Sequence, residues 1–414
     1  MRKQIPILRG LAILAVVLYH CAAWGHTAMF FWTHRFRQVQ PPNYDQFRSI
    51  AYYVLLAIER LAWFSVPAFL FISGFSIAYA ASGAGNTVSW GTIRSRISRL
   101  AFPYFIWSAA IFLGNGVFLG TWQKPAEYLG RLAVGNAEGL YYFVPLLAQF
   151  YILSPVITRL AKRRPVLLLV GAAAVQTTMQ YLLHSPGGGI AYPWGFFYWA
   201  LLFPLGAIVF LHYQQARLVI SRLKWVALVV AVCSWLYSVR EVVVLFSRGS
   251  GFGVAHHAVR FSSSLYALAF IAAFLGFDKA KIPLSGFLQW LGARSYGLYL
   301  LHFTVQLALS KFIYRYASWL LGIQVLYQSV LLLAGLGLPI AFMEVVARSP
   351  LRKTYRYLFG ATPPAPLRKK PVSRKAPTCC SVTRTVAFVE RCADDRGNGG
   401  LRSDVCHLWR AESE

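Results

Sequence analysis

Ten stretches of this chain are almost free of charge and about as long as the roughly twenty residues that cross hydrocarbon as a helix. They lie near 5–24, 52–80, 100–120, 140–160, 165–183, 194–213, 225–246, 262–277, 287–309 and 319–347. So many apolar runs share one favourable solvent, the lipid bilayer, and there each segment must satisfy its own backbone hydrogen bonds. The expected fold class is an all-α integral membrane protein with about ten transmembrane helices. Composition agrees: 13% of residues are charged and mean hydropathy is +0.51, whereas soluble domains carry about 25% charge. A water-soluble fold is excluded on this ground.

The net charge of +28 invites a nucleic-acid reading, yet the basic residues lie between apolar runs and in the last stretch of chain. Basic loops beside apolar helices mark the cytoplasmic side of a membrane protein, so no nucleic-acid partner is expected. With the N-terminus inside, the inner loops hold Arg94, Arg96 and Arg99, then Lys162, Arg163 and Arg164, then Arg217, Arg222 and Lys224, then Lys279 and Lys281. One outer loop balances Lys124 and Arg131 with Glu127 and Glu138, and 184–193 is uncharged; Arg35, Arg37 and Arg48 are the exception. The consistent solution puts both termini in the cytoplasm of a multi-pass inner-membrane protein. The basic, apolar N-terminus resembles a signal peptide, but Arg9, His20 and the lack of a small-x-small site mark a retained first helix.

Two regions are expected, a membrane domain over 1–347 and a tail over 348–414. From Arg348 the apolar runs stop and TPPAPLRKKPVSRKAP follows, a composition for disorder or for lying on anionic lipid. Cys21 and Cys233 fall in apolar segments; Cys379, Cys380, Cys392 and Cys406 fall near the C-terminus. No paired CxxC is present and Cys406 with His407 has no ligand spacing, so no metal site is expected.

An ionisable group inside hydrocarbon costs about 2.5–3.5 kcal/mol on insertion scales and asks for a reason. The candidates are Arg9, His20, Glu59, Arg240, Glu241, His302 and Glu344. Arg9 and His20 share one face of the first helix, roughly 16 Å apart along its axis. Depth counting places His20, Glu59, Glu241 and His302 in one outer layer. The bland readings stand beside this: a membrane histidine is often only an interhelical hydrogen-bond donor, Glu241 can pair with Arg240, Glu59 can neutralise Arg60, and Glu344 sits near an inner helix end. His26, His34, His184, His212, His256 and His257 fall in expected loops or helix ends, where exposure accounts for them. On the inner side, Arg94, Arg96 and Arg99 precede the third helix; Arg96 and Arg99, three apart, present two guanidinium prongs suited to phosphate, or ordinary cytoplasmic charge.

These residues resemble the acyltransferase-3 family of bacterial membrane O-acyltransferases. RGLAILAVVLYH, from Arg9 to His20, is similar to its Arg, ten residues, His signature. Arg96 and Arg99 match an Arg-x-x-Arg motif, VPAFLFISGF with Ser73 and Gly74 matches an FFxxSG phrase, and SYGLYLLH, from Ser295 through Tyr299 to His302, matches a late Ser-Tyr-x-x-Tyr-x-x-His phrase. YYFVPLLAQFYILSP, from Tyr141 to Pro155, is similar to the branch that decorates exopolysaccharides. The likeness covers about 1–347 and leaves the tail unmatched.

The resemblance implies transfer of a short acyl group, commonly acetyl, from cytoplasmic acyl-CoA as co-substrate to a carbohydrate hydroxyl, with no bound cofactor. Arg96 and Arg99, with Arg94, would hold the CoA phosphates, and Arg9 would orient the thioester. His20 would act as general base or carry the acyl group covalently. Glu59, Ser73, Glu241, Tyr299 and His302 are the supporting or acceptor-binding candidates. A polytopic transporter or saccharide flippase is the competing class, since it would use buried Arg, His and Glu as a substrate path; the inner Arg pair separates the two.

Overall fold

The computed structural model describes residues 3–32, 40–82, 88–184, 194–257 and 259–363. Arg35, Arg37, His34, loop 185–193, the four C-terminal cysteines and His407 lie outside the described residues. Regular structure among the described residues is entirely helical: α1 Gln4–Phe30, α2 Ile50–Leu61, α3 Ser65–Ser82, α4 Trp90–Leu119, α5 Pro125–Val134, α6 Phe143–Arg163, α7 Pro165–His184, α8 Leu202–Leu211, α9 Tyr213–Ser247, α10 Phe252–Ala255, α11 Phe261–Gly276, α12 Ser285–Ala293, α13 Ser295–Tyr316, α14 Gln324–Arg348 and α15 Tyr355–Phe359. Among the described residues, seven spans are long and apolar enough to cross a membrane: α1, the continuous Ile50–Ser82 unit of α2 and α3, α4, α6, α7, α9 and α14. Of the remaining expected spans, α8 and α11 are apolar but short, at 10 and 16 residues.

Burial separates centre from rim. In Ile50–Ser82, 72% of the apolar window is buried, against 11% in α7 and 22% in α9. Exposed Val166, Val170 and Tyr181 on α7, and Trp225, Val229 and Leu236 on α9, form the kind of apolar surface that only lipid covers without cost. The centre is the cluster formed by α1, α3, α6, α8, α11 and α13.

Two departures from the expected spans matter for the site. The run expected over 194–213 is helical only from Leu202; Phe196–Trp199 is a 3-10 turn. Its open backbone is met by buried side-chain amides. Gln149 Nε2 donates to the Trp194 carbonyl at 2.7 Å, Leu201 N–H donates to Gln176 Oε1 at 3.0 Å, and Gln180 Nε2 reaches the Tyr198 carbonyl at 3.4 Å. Irregular backbone at membrane depth needs such partners. The run expected over 287–309 breaks at Arg294 into α12 and α13. Arg294 Nη2 pairs with Glu344 at 2.6 Å, which gives the Glu344 carboxylate its partner.

The SG of the third-helix phrase is a crossing point. A Cβ on Gly74 would stand 1.9 Å from the Phe203 carbonyl oxygen, and one on Gly206 would stand 2.0 Å from the Phe71 oxygen. The backbones of α3 and α8 therefore touch, in the small-residue manner of membrane helices.

Residues 350–359, assigned above to the tail, are folded. A 3-10 turn at Pro350–Thr354 leads into α15, where Tyr355 and Phe359 are buried. Trp107 Nε1 donates to the Leu358 carbonyl at 2.9 Å. The compact unit takes in this segment, which Tyr355 and Phe359 seat by burial.

Candidate active site

Two cavities meet inside the helical unit. The first encloses about 800 Å³ and is lined by Arg9, Ser73, Ser76, Ser95, Arg96, Arg99, Tyr151 and Ser295. The second encloses about 440 Å³ and is lined by His20, Trp63, Tyr142, Trp199, His256 and His257. Phe69, Phe143 and Tyr299 line both, so one aromatic partition separates a guanidinium cavity from an imidazole cavity. Arg9 and His20 stand eleven residues apart on α1, a rise of about 16 Å, and that is why one helix serves both.

The late SYGLYLLH phrase positions the partition. Its residues at 295, 296, 299 and 302 follow helical spacing along α13, and each reaches a different element. Ser295 Oγ accepts from Arg9 Nε at 2.9 Å. Tyr296 donates to the Leu100 carbonyl on α4 at 2.6 Å, and Tyr299 donates to the Leu140 carbonyl ahead of α6 at 2.5 Å. The His302 ring lies 5.3 Å, centroid to centroid, from His20. Its Nδ1 donates to the Leu298 carbonyl at 2.8 Å, an assignment that leaves Nε2 as the unprotonated nitrogen. His302 is fully buried and lines neither cavity; it backs His20.

On the guanidinium side, Arg96 Nη2 donates to the Ser76 carbonyl at 3.0 Å and its guanidinium carbon lies 5.8 Å from the Tyr151 ring centre. Arg99 lines the same cavity and is exposed. Arg94, grouped with them above, is exposed and lines neither cavity. One turn of α4 carries Arg96 and Arg99 to one face and leaves Arg94, two residues earlier, pointing elsewhere.

The single outer layer of ionisable groups expected from depth counting separates into distinct clusters. His20 and His302 are together. Glu241 accepts from Ser262 Oγ at 2.6 Å and pairs with Arg260 at 3.4 Å, joining α9 to α11 outside both cavities. Glu59 pairs with Arg60 at 2.8 Å, and the Arg60 guanidinium sits 3.6 Å from the Trp63 ring centre. Two histidines read above as exposed join Glu59. His26 and His256 are buried, with Nδ1 atoms 3.2 and 3.0 Å from Glu59 Oε2. α1 runs on to Phe30 and keeps His26 within the helix, and His256 stacks on Phe252 of α10 and meets the His26 ring at 5.0 Å. The signal available was the doublet His256–His257 beside three serines at 262–264, too generic to single out. Donor atoms of His26, Glu59 and His256 all lie within 4.8 Å of one another, a spacing that also suits a cation.

Burial pushes His256 below its ordinary value, opposed by the Glu59 carboxylate. Burial beside His184 and Arg260 pushes His257 down to about 4. Both rings are therefore neutral near pH 7 and able to accept a proton.

A family model described as an acyltransferase domain matches residues 2–344, essentially the whole membrane unit. No curated protein matches and no solved structure matches.

Proposed function

We propose, from the premise that this chain belongs to the acyltransferase-3 family, that it moves a short acyl group, acetyl first among them, from cytoplasmic acyl-CoA to a hydroxyl of a cell-surface or lipid-linked carbohydrate. The observation that carries this reading is the partition: a guanidinium cavity and an imidazole cavity share the walls Phe69, Phe143 and Tyr299. A donor bearing phosphates and an acceptor bearing hydroxyls need opposite chemistries and one meeting point. In this reading the protein is a multi-pass protein of the bacterial inner membrane with both termini inside, and α8, α11 and α13 join the seven long spans in the bilayer.

Arg96 and Arg99 then grip the CoA phosphates, since guanidinium forks match phosphate oxygens. The hydroxyls of Ser76, Ser89, Thr92 and Ser95 line the same cavity and supply neutral donors beside them. Arg9, held by Ser295, orients the thioester carbonyl. His20 meets the acyl group on the other side of the partition, as base or as acyl carrier. Trp63, Tyr142 and Trp199 offer faces on which a sugar ring packs. A transporter has no need of two adjoining cavities of unlike chemistry, one lined by guanidinium groups and one by imidazoles, and that favours transfer over the flippase reading.

The test is mass spectrometry of surface glycan from cells carrying variants. His20→Ala is expected to remove the acyl increment, of about 42 daltons for acetyl, while the protein remains folded in membranes. Arg96→Ala combined with Arg99→Ala is expected to weaken acyl-CoA binding about 10-fold or more, as charge-assisted pairs contribute about 1.5–3 kcal/mol each. Normal glycan from His20→Ala, or unchanged acetyl-CoA affinity in the double variant, would refute the respective role.

A further inference from the structure

The acceptor cavity holds a second imidazole with a carboxylate behind it. His256 Nδ1 lies 3.0 Å from Glu59 Oε2 and 3.2 Å from Glu59 Oε1. Its ring stacks on Phe252 at 4.0 Å and lines the cavity that His20 also lines. Among the described residues its Nε2 has no hydrogen-bond partner. An ionised carboxylate accepts only, so Nδ1 carries the hydrogen and Nε2 is the free base. Glu59 is itself fixed by Arg60 at 2.8 Å. Among the described residues His20 has no such support: its ring neighbours are Tyr19, His302 and Phe303, with no carboxylate among them.

Resting on the acyl-transfer reading above, we infer that His256 is the general base that deprotonates the acceptor hydroxyl, with Glu59 as its positioning residue. The physical reason is charge. A base in this cavity becomes an imidazolium at the moment of reaction, and a carboxylate on its far nitrogen both holds the tautomer and stabilises the cation. Of the two histidines, His256 alone has that arrangement.

The step balances. The acceptor O–H breaks and its proton passes to His256 Nε2; the oxygen pair forms the new C–O bond at the acyl carbon. In direct transfer the C–S bond breaks and its electrons leave on CoA thiolate, which takes a proton on the donor side. If His20 carries the acyl group, the bond broken is C–N and its electrons return to that ring. In either route the His256 imidazolium then releases its proton to water.

A cation held by His26, Glu59 and His256 is the rival use of the same atoms. The site holds one carboxylate, Glu59, and Arg60 already lies 2.8 Å from it, both nearly inaccessible to solvent. A divalent ion would add two lasting positive charges there, whereas a protonated His256 adds one and only during turnover.

The experiment uses the full chain in detergent with acetyl-CoA, reads release of free CoA above the rate measured without protein, and compares two probes. Methyl glucoside is a hydroxyl nucleophile that needs a base; hydroxylamine is reactive at neutral pH without one. His256→Ala is expected to slow transfer to methyl glucoside about 100-fold or more while transfer to hydroxylamine stays within about threefold, the size of a lost general base. Added imidazole is expected to restore part of the lost rate. Glu59→Gln, which keeps the shape and removes the charge, is expected to show the same split between nucleophiles, a pattern that mere unfolding would not produce. Equal losses with both probes, or undiminished transfer to methyl glucoside by His256→Ala, would overturn the assignment. So would a stoichiometric divalent metal in the purified protein that His256→Ala loses. A wild-type chain that releases CoA with neither probe would instead tell against acyl transfer itself.

Discussion

Histidine 257 shows how much a single position owes to its surroundings. Burial beside His184 and Arg260 pushes it down to about 4 from an ordinary value of 6.5. A group held below its unfolded value binds fewer protons when folded, so its contribution to stability is present above pH 6.5 and declines as pH falls toward 4. Thermal unfolding in detergent is expected to show a midpoint that drops over that window, and His257→Gln is expected to flatten the drop. An identical slope in the variant would assign the acid sensitivity to another group. Along the sequence His257, like His256, has the look of a loop histidine. Nothing in a histidine's neighbours along the chain says whether the following segment will turn inward. By contrast Arg9 and His20 were legible, because an eleven-residue interval on one apolar helix can only mean one face and a known rise.

At the scale of elements, the turn that precedes α8 carries the clearest dependence. Three glutamines, at 149, 176 and 180, stand in for the helical hydrogen bonds that the 194–201 backbone does not make. Gln176→Leu leaves the Leu201 N–H unpaired and is expected to destabilise the protein by about 1–3 kcal/mol, read as a lower unfolding midpoint. Trp199, which lines the acceptor cavity from this turn, would shift with it, so transfer should fall alongside stability. A variant as stable as wild type would mean that the turn is held by packing alone. Along the sequence this run passes for an ordinary span, because apolar composition does not distinguish a 3-10 turn from a helix. The SYGLYLLH phrase was legible as a motif, yet its work was not: only the packed structure shows that one helix face ties Arg9, the Leu100 carbonyl, the Leu140 carbonyl and His20 together.

For the molecule as a whole, the membrane unit extends past its last long helix. Phe359 is fully buried, and Gly360 lines the guanidinium cavity. A chain stopped after Ser349 loses Tyr355 and Phe359 and is expected to be less stable by about 3 kcal/mol or more, as buried aromatics removed from a core cost that much. Stability equal to that of the full chain would show α15 to be a passive appendage. Its folding was hidden in the sequence by composition, since the basic residues around it outnumber the two aromatics that matter.

What the chain's one-dimensional pattern determined was its solvent and its family. Long apolar runs admit a bilayer and little else, and four short motifs in order carried the acyltransferase-3 resemblance that the family match over 2–344 bears out. What only the tertiary structure decided was which ionisable groups share a cavity. Depth along each helix is read from spacing, but rotation and partner are set by packing between helices, where glycines such as Gly74 and Gly206 let backbones meet. That is why one supposed layer of charges became two cavities and separate pairs, and why His256 came to stand against Glu59.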